Sequence, residues 1–163
     1  MLWPGKTVAI LATGPNMNQK VADLVRHLPR IAVRRAFKFA PHAEMLISLD
    51  GPTGSLDDAF WEDARDFTGL RVCGLECEVD ALYPGMMYET VTLAPGNVVQ
   101  IRNNLLAAIR IAVKAGAARI RLLGVDTKRY EEIHAHTGFV GLTAGLQQIT
   151  AELRGQGIEV ESL

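Results

Sequence analysis

Strands that alternate with helices along most of the chain predict a three-layer α/β fold, a mostly parallel sheet covered by helices on both faces. Two observations carry the prediction. Thr7–Thr13 (TVAILAT) is a continuous apolar and β-branched run, the pattern of a strand buried on both sides. Directly after it the period changes: Val21, Leu24, Val25 and Leu28 recur at helical spacing within Met17–Leu28, with Asn16 or Asn18 available as the cap. At 163 residues the chain is long enough for one domain with a proper core and too short for two, so residues 1–163 read as one domain.

The remaining elements follow in order. Arg30–Val33 reads as a second short strand, and Ala36–Ala40 as a single helical turn stopped by Pro41. Glu44–Asp50 is a third strand that ends in an acid before Gly51-Pro52. Ser55–Phe67 has the pattern of a helix, with Ser55 as cap and Asp57 and Asp58 suited to its positive end. Leu70–Leu75 is a fourth strand. Between Glu76 and Asn97 the signals weaken, and Val79–Tyr83 with Glu89–Leu93 around Pro84-Gly85 suggest a hairpin. From Val99 the apolar positions Ile101, Leu105, Ala108, Ile109, Ala112 and Val113 mark one face of a long helix that ends at Gly116. Arg119–Gly124 is a further strand leading to Asp126, a polar loop follows, and Phe139–Leu153 and Ile158–Val160 close the pattern with a helix and a strand.

Composition excludes several classes of function. Apolar residues make up 48% and charged residues 21%, a globular balance that argues against disorder. Seventeen basic and eighteen acidic residues leave a net charge of −1, so the chain lacks the basic footprint of a nucleic-acid binder. Cys73 and Cys77 have no matching Cys or His pair, so they read as buried or half-buried thiols and not as a zinc site. No signal peptide opens the sequence, and no apolar run approaches the ~18 residues of a membrane helix. A cytoplasmic protein with no membrane partner is expected.

In a parallel sheet, ligands bind at the carboxyl ends of the strands, near the point where strand order reverses. The candidate ligand residues are those that follow predicted strands: Gly14, Pro15, Asn16, Arg34, Asp50, Gly124 and Asp126. Gly14 would let backbone approach a phosphate while the next helix points its free N–H groups there; a plain β–α turn explains it as well. Neither G-x-G-x-x-G nor G-x-x-x-x-G-K-[ST] is present. Asp50 and Asp126 could each bind a ribose hydroxyl or cap the turn that follows. Arg34 and Arg35 could offer forked donors to phosphate or carboxylate, or stand solvated. Asn103 and Asn104 could read a sugar or base edge, or cap the helix they open. His134 and His136, two apart in the polar loop, are candidate general acids or bases because imidazole titrates near neutral pH. They lack the spacing of a helical metal motif, so no metal site is assigned, and the sequence names no cofactor.

Several of these segments together resemble a known group. Val8–Asn16 (VAILATGPN) resembles the G-x-G-P-S opening of the domain shared by bacterial sialyltransferases, motility accessory factors and archaeal-type hydroxymethylpterin diphosphokinases. Ile31–Phe37, Ala40–Glu44 and Ser48–Asp50 resemble that domain's next segment, and Ala107–Asp126 its second block. Trp3-Pro4-Gly5 is similar to the start of a set of short phage and prophage proteins carrying the same blocks. The resemblance implies a Rossmann-like domain that binds a nucleotide or nucleotide-sugar through Gly14 and Pro15, with Asp126 at the second strand end and His134 or His136 as base. It implies a transferase using a nucleotide-activated donor, for glycosyl or diphosphoryl transfer, and the host cytoplasm if phage-encoded.

The chain departs from that pattern at Asn16 for Ser, at Arg34 or Arg35 for an Asn-Asp pair, and at Arg102-Asn103-Asn104 for a Ser-Gly or Asn-Ser-Gly step. These departures keep two further readings open: a binding protein that has lost catalysis, and a phage structural or assembly protein that kept the fold. The segment Leu75–Val98 is a candidate oligomer contact.

Overall fold

The computed structural model describes residues 2–48, 58–74, 89–91, 103–128 and 142–163. Seven strands form one sheet: β1 (Thr7–Leu11), β2 (Arg30–Val33), β3 (Met45–Ser48), β4 (Leu70–Gly74), β5 (Glu89–Val91), β6 (Arg119–Leu123) and β7 (Glu159–Ser162). Their order is β5-β4-β3-β2-β1-β6-β7, and every adjacent pair is parallel. The α/β class with helices over a parallel sheet is therefore what the sequence predicts.

Four α-helices accompany the sheet among the described residues: α1 (Gln19–Leu24), α2 (Asp58–Asp63), α3 (Asn104–Lys114) and α4 (Leu142–Gly155). A 3-10 turn spans Arg34–Lys38. None of these helices is long and apolar enough to cross a membrane.

Period-2 alternation divides the strand residues between two cores. Val8, Ile10, Ile31, Val33, Met45, Ile47, Ile120 and Leu122 face α3 and α4 in one buried cluster. Ala9, Leu11, Ala32, Leu46 and Leu123 face α1, the 3-10 turn and α2 in the other. The chain steps outward from β1 to β4 beneath the second group of elements. It then returns across the sheet through α3 and continues outward to β7 through α4, on the first face. Opposite faces for opposite directions is what right-handed crossovers require. The winding reverses at β1, so the crevice between β1 and β6 is the topological switch point.

Several local expectations change. α1 starts at Gln19 because Asn18 caps it, its side-chain oxygen accepting from Val21 N at 3.1 Å. The helix is shorter than its apolar period, and Leu24, expected on the buried face, is 67% exposed. The turn after β2 begins two residues early, at Arg34. Of the expected hairpin, Glu89–Val91 is a strand, and it extends the sheet as the parallel neighbour of β4. Val79–Tyr83 and Pro84-Gly85 lie outside the described residues.

Candidate functional site

The loop after β1 and the loop after β6 are locked to each other by backbone. Ala12 N donates to Leu123 O at 2.8 Å, and Gly14 N to Gly124 O at 2.7 Å. Met17 N closes the first loop onto Gly14 O at 2.9 Å. The approach is so close that a Cβ on Gly14 would sit 2.3 Å from Gly124 O and 3.2 Å from Asp126 N. Gly124 has φ +66°, and a Cβ there would meet Ala12 O at 2.5 Å and Met17 Cβ at 2.8 Å. Both positions admit glycine alone, for packing reasons internal to the chain.

The space left by the missing Gly14 side chain is filled by the β6 loop. The first turn of α1 begins five residues after Gly14, and one of its N–H groups is already held by Asn18. The loop after β1 leaves Thr13, Pro15 and Asn16 exposed, with Asn18 Nδ2 donating to Asn16 O at 3.3 Å. Asp126, half-buried, follows directly on the other side of the crevice, and Thr127 and Lys128 are helical. Gly14, Pro15, Asn16, Gly124 and Asp126 are thus brought to one place, the switch point.

Arg34 is the first residue beyond β2, the other neighbour of β1. Its φ is +50°, the one positive value at a non-glycine residue among those described. Its guanidinium carbon lies 5.5 Å from the centre of the Phe60 ring, within cation–π range. Phe60 is fully buried and meets Phe37 edge-on, ring centres 6.1 Å apart. The next two cations of the turn converge on one carboxylate: Arg35 Nη1 and Lys38 Nζ lie 2.9 and 2.7 Å from Asp63 Oδ2. The hydrogen bond from Lys38, helped by the charges of Lys38 and Arg35, holds the Asp63 carboxyl below its ordinary value. Phe60 and Asp63 both belong to α2, so α2 steadies the turn after β2. Sequence reading missed both residues, because nothing in the chain couples positions 34 and 60 before the fold does.

Asn103 caps α3. Its side-chain oxygen accepts from Leu105 N at 2.8 Å and Leu106 N at 3.2 Å, the capping alternative of the two expected for it. Asn104 is the first residue of that helix and half-buried. A helix that feeds a parallel strand starts at the sheet's carboxyl edge, so Asn103 and Asn104 share the edge with the β1 and β6 loops. Asp50, His134 and His136 lie outside the described residues. Among the described residues no group of three or more His, Cys, Asp or Glu side chains could hold a metal ion.

No protein-family model matches the chain, and no curated protein does. Among solved structures it is similar to the crystal structure of a probable thiamine pyrophosphokinase from Staphylococcus saprophyticus, with a TM-score of 0.52 and 14% sequence identity. The match covers 96% of this chain and 64% of that one. The chain therefore spans less than two thirds of that protein. At this identity the likeness is one of fold alone, a sheet with helices in an α/β arrangement.

Proposed function

We propose that this chain binds a nucleotide or nucleotide-activated donor in the crevice between β1 and β6 and transfers its activated group, a diphosphoryl group in the first instance. The observation that carries the reading is the switch point itself. There Pro15 and Asn16 stand exposed on a loop that Gly14 and Gly124 hold rigid, with Asp126 beside it. Rigid loops at such a point position ligand contacts without ordering cost at binding. The Asn16 side-chain amide would meet phosphate, and Asp126 would meet ribose hydroxyls. Diphosphoryl transfer is placed ahead of glycosyl transfer because the structural neighbour is a probable thiamine pyrophosphokinase. His134 or His136 would take the acceptor's proton.

A second reading, binding without turnover, is favoured by Asn103. Its side-chain oxygen is spent on capping α3 at a position where the resembled domain has a Ser-Gly step. Thermal-shift screening of the purified chain against nucleoside mono-, di- and triphosphates and nucleotide-sugars tests the binding claim. A ligand that binds the native state raises the melting temperature by mass action. Asp126→Asn and Asn16→Ala should each reduce that shift, read against each variant's own ligand-free melting temperature. Gly14 is unsuitable for this purpose, since any Cβ there strikes Gly124. A shift followed by nucleoside monophosphate release with an acceptor supports transfer, and a shift without turnover supports the second reading. No shift with any nucleotide removes both and leaves an assembly role for the fold.

A further inference from the structure

We propose that Lys128 is the cation of the β1–β6 crevice: its ammonium pairs with a chain of two or more phosphates, so the site selects nucleoside di- and triphosphates over monophosphates. That the ligand carries a nucleoside rests on the reading above; the preference for a diphosphate chain does not.

Charge sets the requirement. Asp126 stands at this crevice, and a carboxylate a few ångströms from a phosphate chain repels it. Each added phosphate raises that repulsion, so a longer chain needs a compensating cation beside the acid. Other cations at the carboxyl edge are committed elsewhere. Arg34 stacks on Phe60 and makes a further interaction, and Arg35 and Lys38 share the carboxylate of Asp63. Lys128 is exposed, and no carboxylate among the described residues forms an ion pair with it.

Backbone contacts fix its place. Gly14 N donates to Gly124 O at 2.7 Å, and Asp126 N lies 3.2 Å from where a Gly14 Cβ would be. Lys128 follows two residues later, in the helical turn that begins at Thr127, so its Cα is about 5–6 Å from that of Asp126. Asp126 and Lys128 thus share the β6 side of the crevice, with Pro15 and Asn16 on the β1 side. An acid and a cation so close give the two parts of a nucleotide separate partners. The carboxylate accepts from ribose hydroxyls, and the ammonium donates to phosphate oxygens. An ammonium on a flexible stem acts on a phosphate chain as a point charge and sets no preference for the base.

Lys20 is the other lysine near these loops, in the first turn of α1. It lies about 200° around that helix from buried Ala22, on the face turned away from the sheet. Exposed like Lys128, it serves as the control for charge alone.

The test is calorimetric titration of the full chain with phosphate, pyrophosphate, and the adenine and cytosine nucleoside mono-, di- and triphosphates. Wild type is compared with Lys128→Gln, Lys128→Arg and Lys20→Gln, and each variant's ligand-free melting temperature confirms that it is folded. Wild type should bind pyrophosphate more tightly than phosphate, and di- and triphosphates more tightly than monophosphates. Lys128→Gln should lose about tenfold or more on every ligand with a diphosphate chain, the loss expected for a charge-assisted contact, and much less on monophosphates. Lys128→Arg should retain the affinity, and Lys20→Gln should match wild type. Unchanged affinity in Lys128→Gln, an equal loss on mono- and diphosphates, or the same loss in Lys20→Gln would overturn the proposal. Nucleotide binding that is indifferent to Lys128 sinks this inference and leaves the β1–β6 reading standing. Binding of pyrophosphate, sensitive to Lys128, with binding of no nucleotide does the reverse. Binding of none of these ligands removes both.

Discussion

At Gly14 and Gly124 two loops pass so closely that neither residue has room for a methyl group. The shortest contacts would be 2.3 Å to Gly124 O and 2.5 Å to Ala12 O. Gly124→Ala carries the added burden of φ +66°. Each substitution should destabilise the chain by about 2–4 kcal/mol, the range of substitutions that force buried backbone apart. Urea unfolding followed by circular dichroism checks this, with the midpoint falling and the slope unchanged. Glycine at these positions is legible in the sequence as a turn signal. Its reason is not, because the partner backbone is about 110 residues away along the chain. Arg34 shows the same limit: its charge is visible in the sequence, while its left-handed backbone and its seat on Phe60 exist only once α2 has packed.

At the scale of elements, α3 and α4 are joined over the sheet by a forked ion pair. Arg110 Nη1 and Nη2 donate to Glu152 Oε1 and Oε2 at 2.6 and 2.7 Å. The hydrogen bond from Arg110 holds the Glu152 carboxyl below its ordinary value. A depressed carboxylate adds stability above its unfolded pKa, and the gain is lost as pH falls through the folded value. Both side chains are about 40% exposed, so solvent screens the pair and its worth is about 0.2–1 kcal/mol. Glu152→Gln should therefore be slightly less stable than wild type at neutral pH, and the two should converge once pH drops below the carboxylate range. A pair of pH-dependent melting curves decides it. The edge of the sheet is managed by charge as well. Arg119 and Arg121 on β6 face Glu159 and Glu161 directly across the β6–β7 ladder, with contacts of 2.6 and 3.2 Å. Charged cross-strand pairs make an edge strand a poor template for another chain. Strands were legible to within two residues at each end, most closely where an apolar run is buried on both faces, as in Arg30–Val33. Helices were less so: α1 starts late, at its cap Asn18, and ends early, at Leu24, four residues before its apolar period does.

Across the whole molecule, the returning crossover through α3 ties the two halves of the sheet together, and Trp3 secures its far end. The Trp3 side chain is buried in the same core as α3, and its backbone N–H donates to Ala115 O at 2.8 Å; Gly5 N donates to Gly116 O at 2.9 Å. The opening segment thus satisfies carbonyls that the helix end leaves without partners. Trp3→Ala should cost about 3–5 kcal/mol, as other losses of large buried aromatics do. Measured by denaturant unfolding, a cost under 1 kcal/mol would mean that the segment does not anchor α3. The Trp-Pro-Gly start was visible as a motif, but its task of closing a helix over a hundred residues later was not.

Periodicity and turn chemistry by themselves determined the fold class, the strand sequence and the candidate residues at the strand ends. These are local properties: a side chain's burial pattern and a cap's hydrogen bond are written within a few residues of each other. Tertiary structure alone decided the order β5-β4-β3-β2-β1-β6-β7 and the reversal at β1. It also decided that Gly14 answers to Gly124, that Asn103 serves α3, and that Arg34 rests on Phe60. Each of these depends on contacts between segments far apart in the chain, and such contacts are chosen by how the whole set of apolar faces can be buried at once.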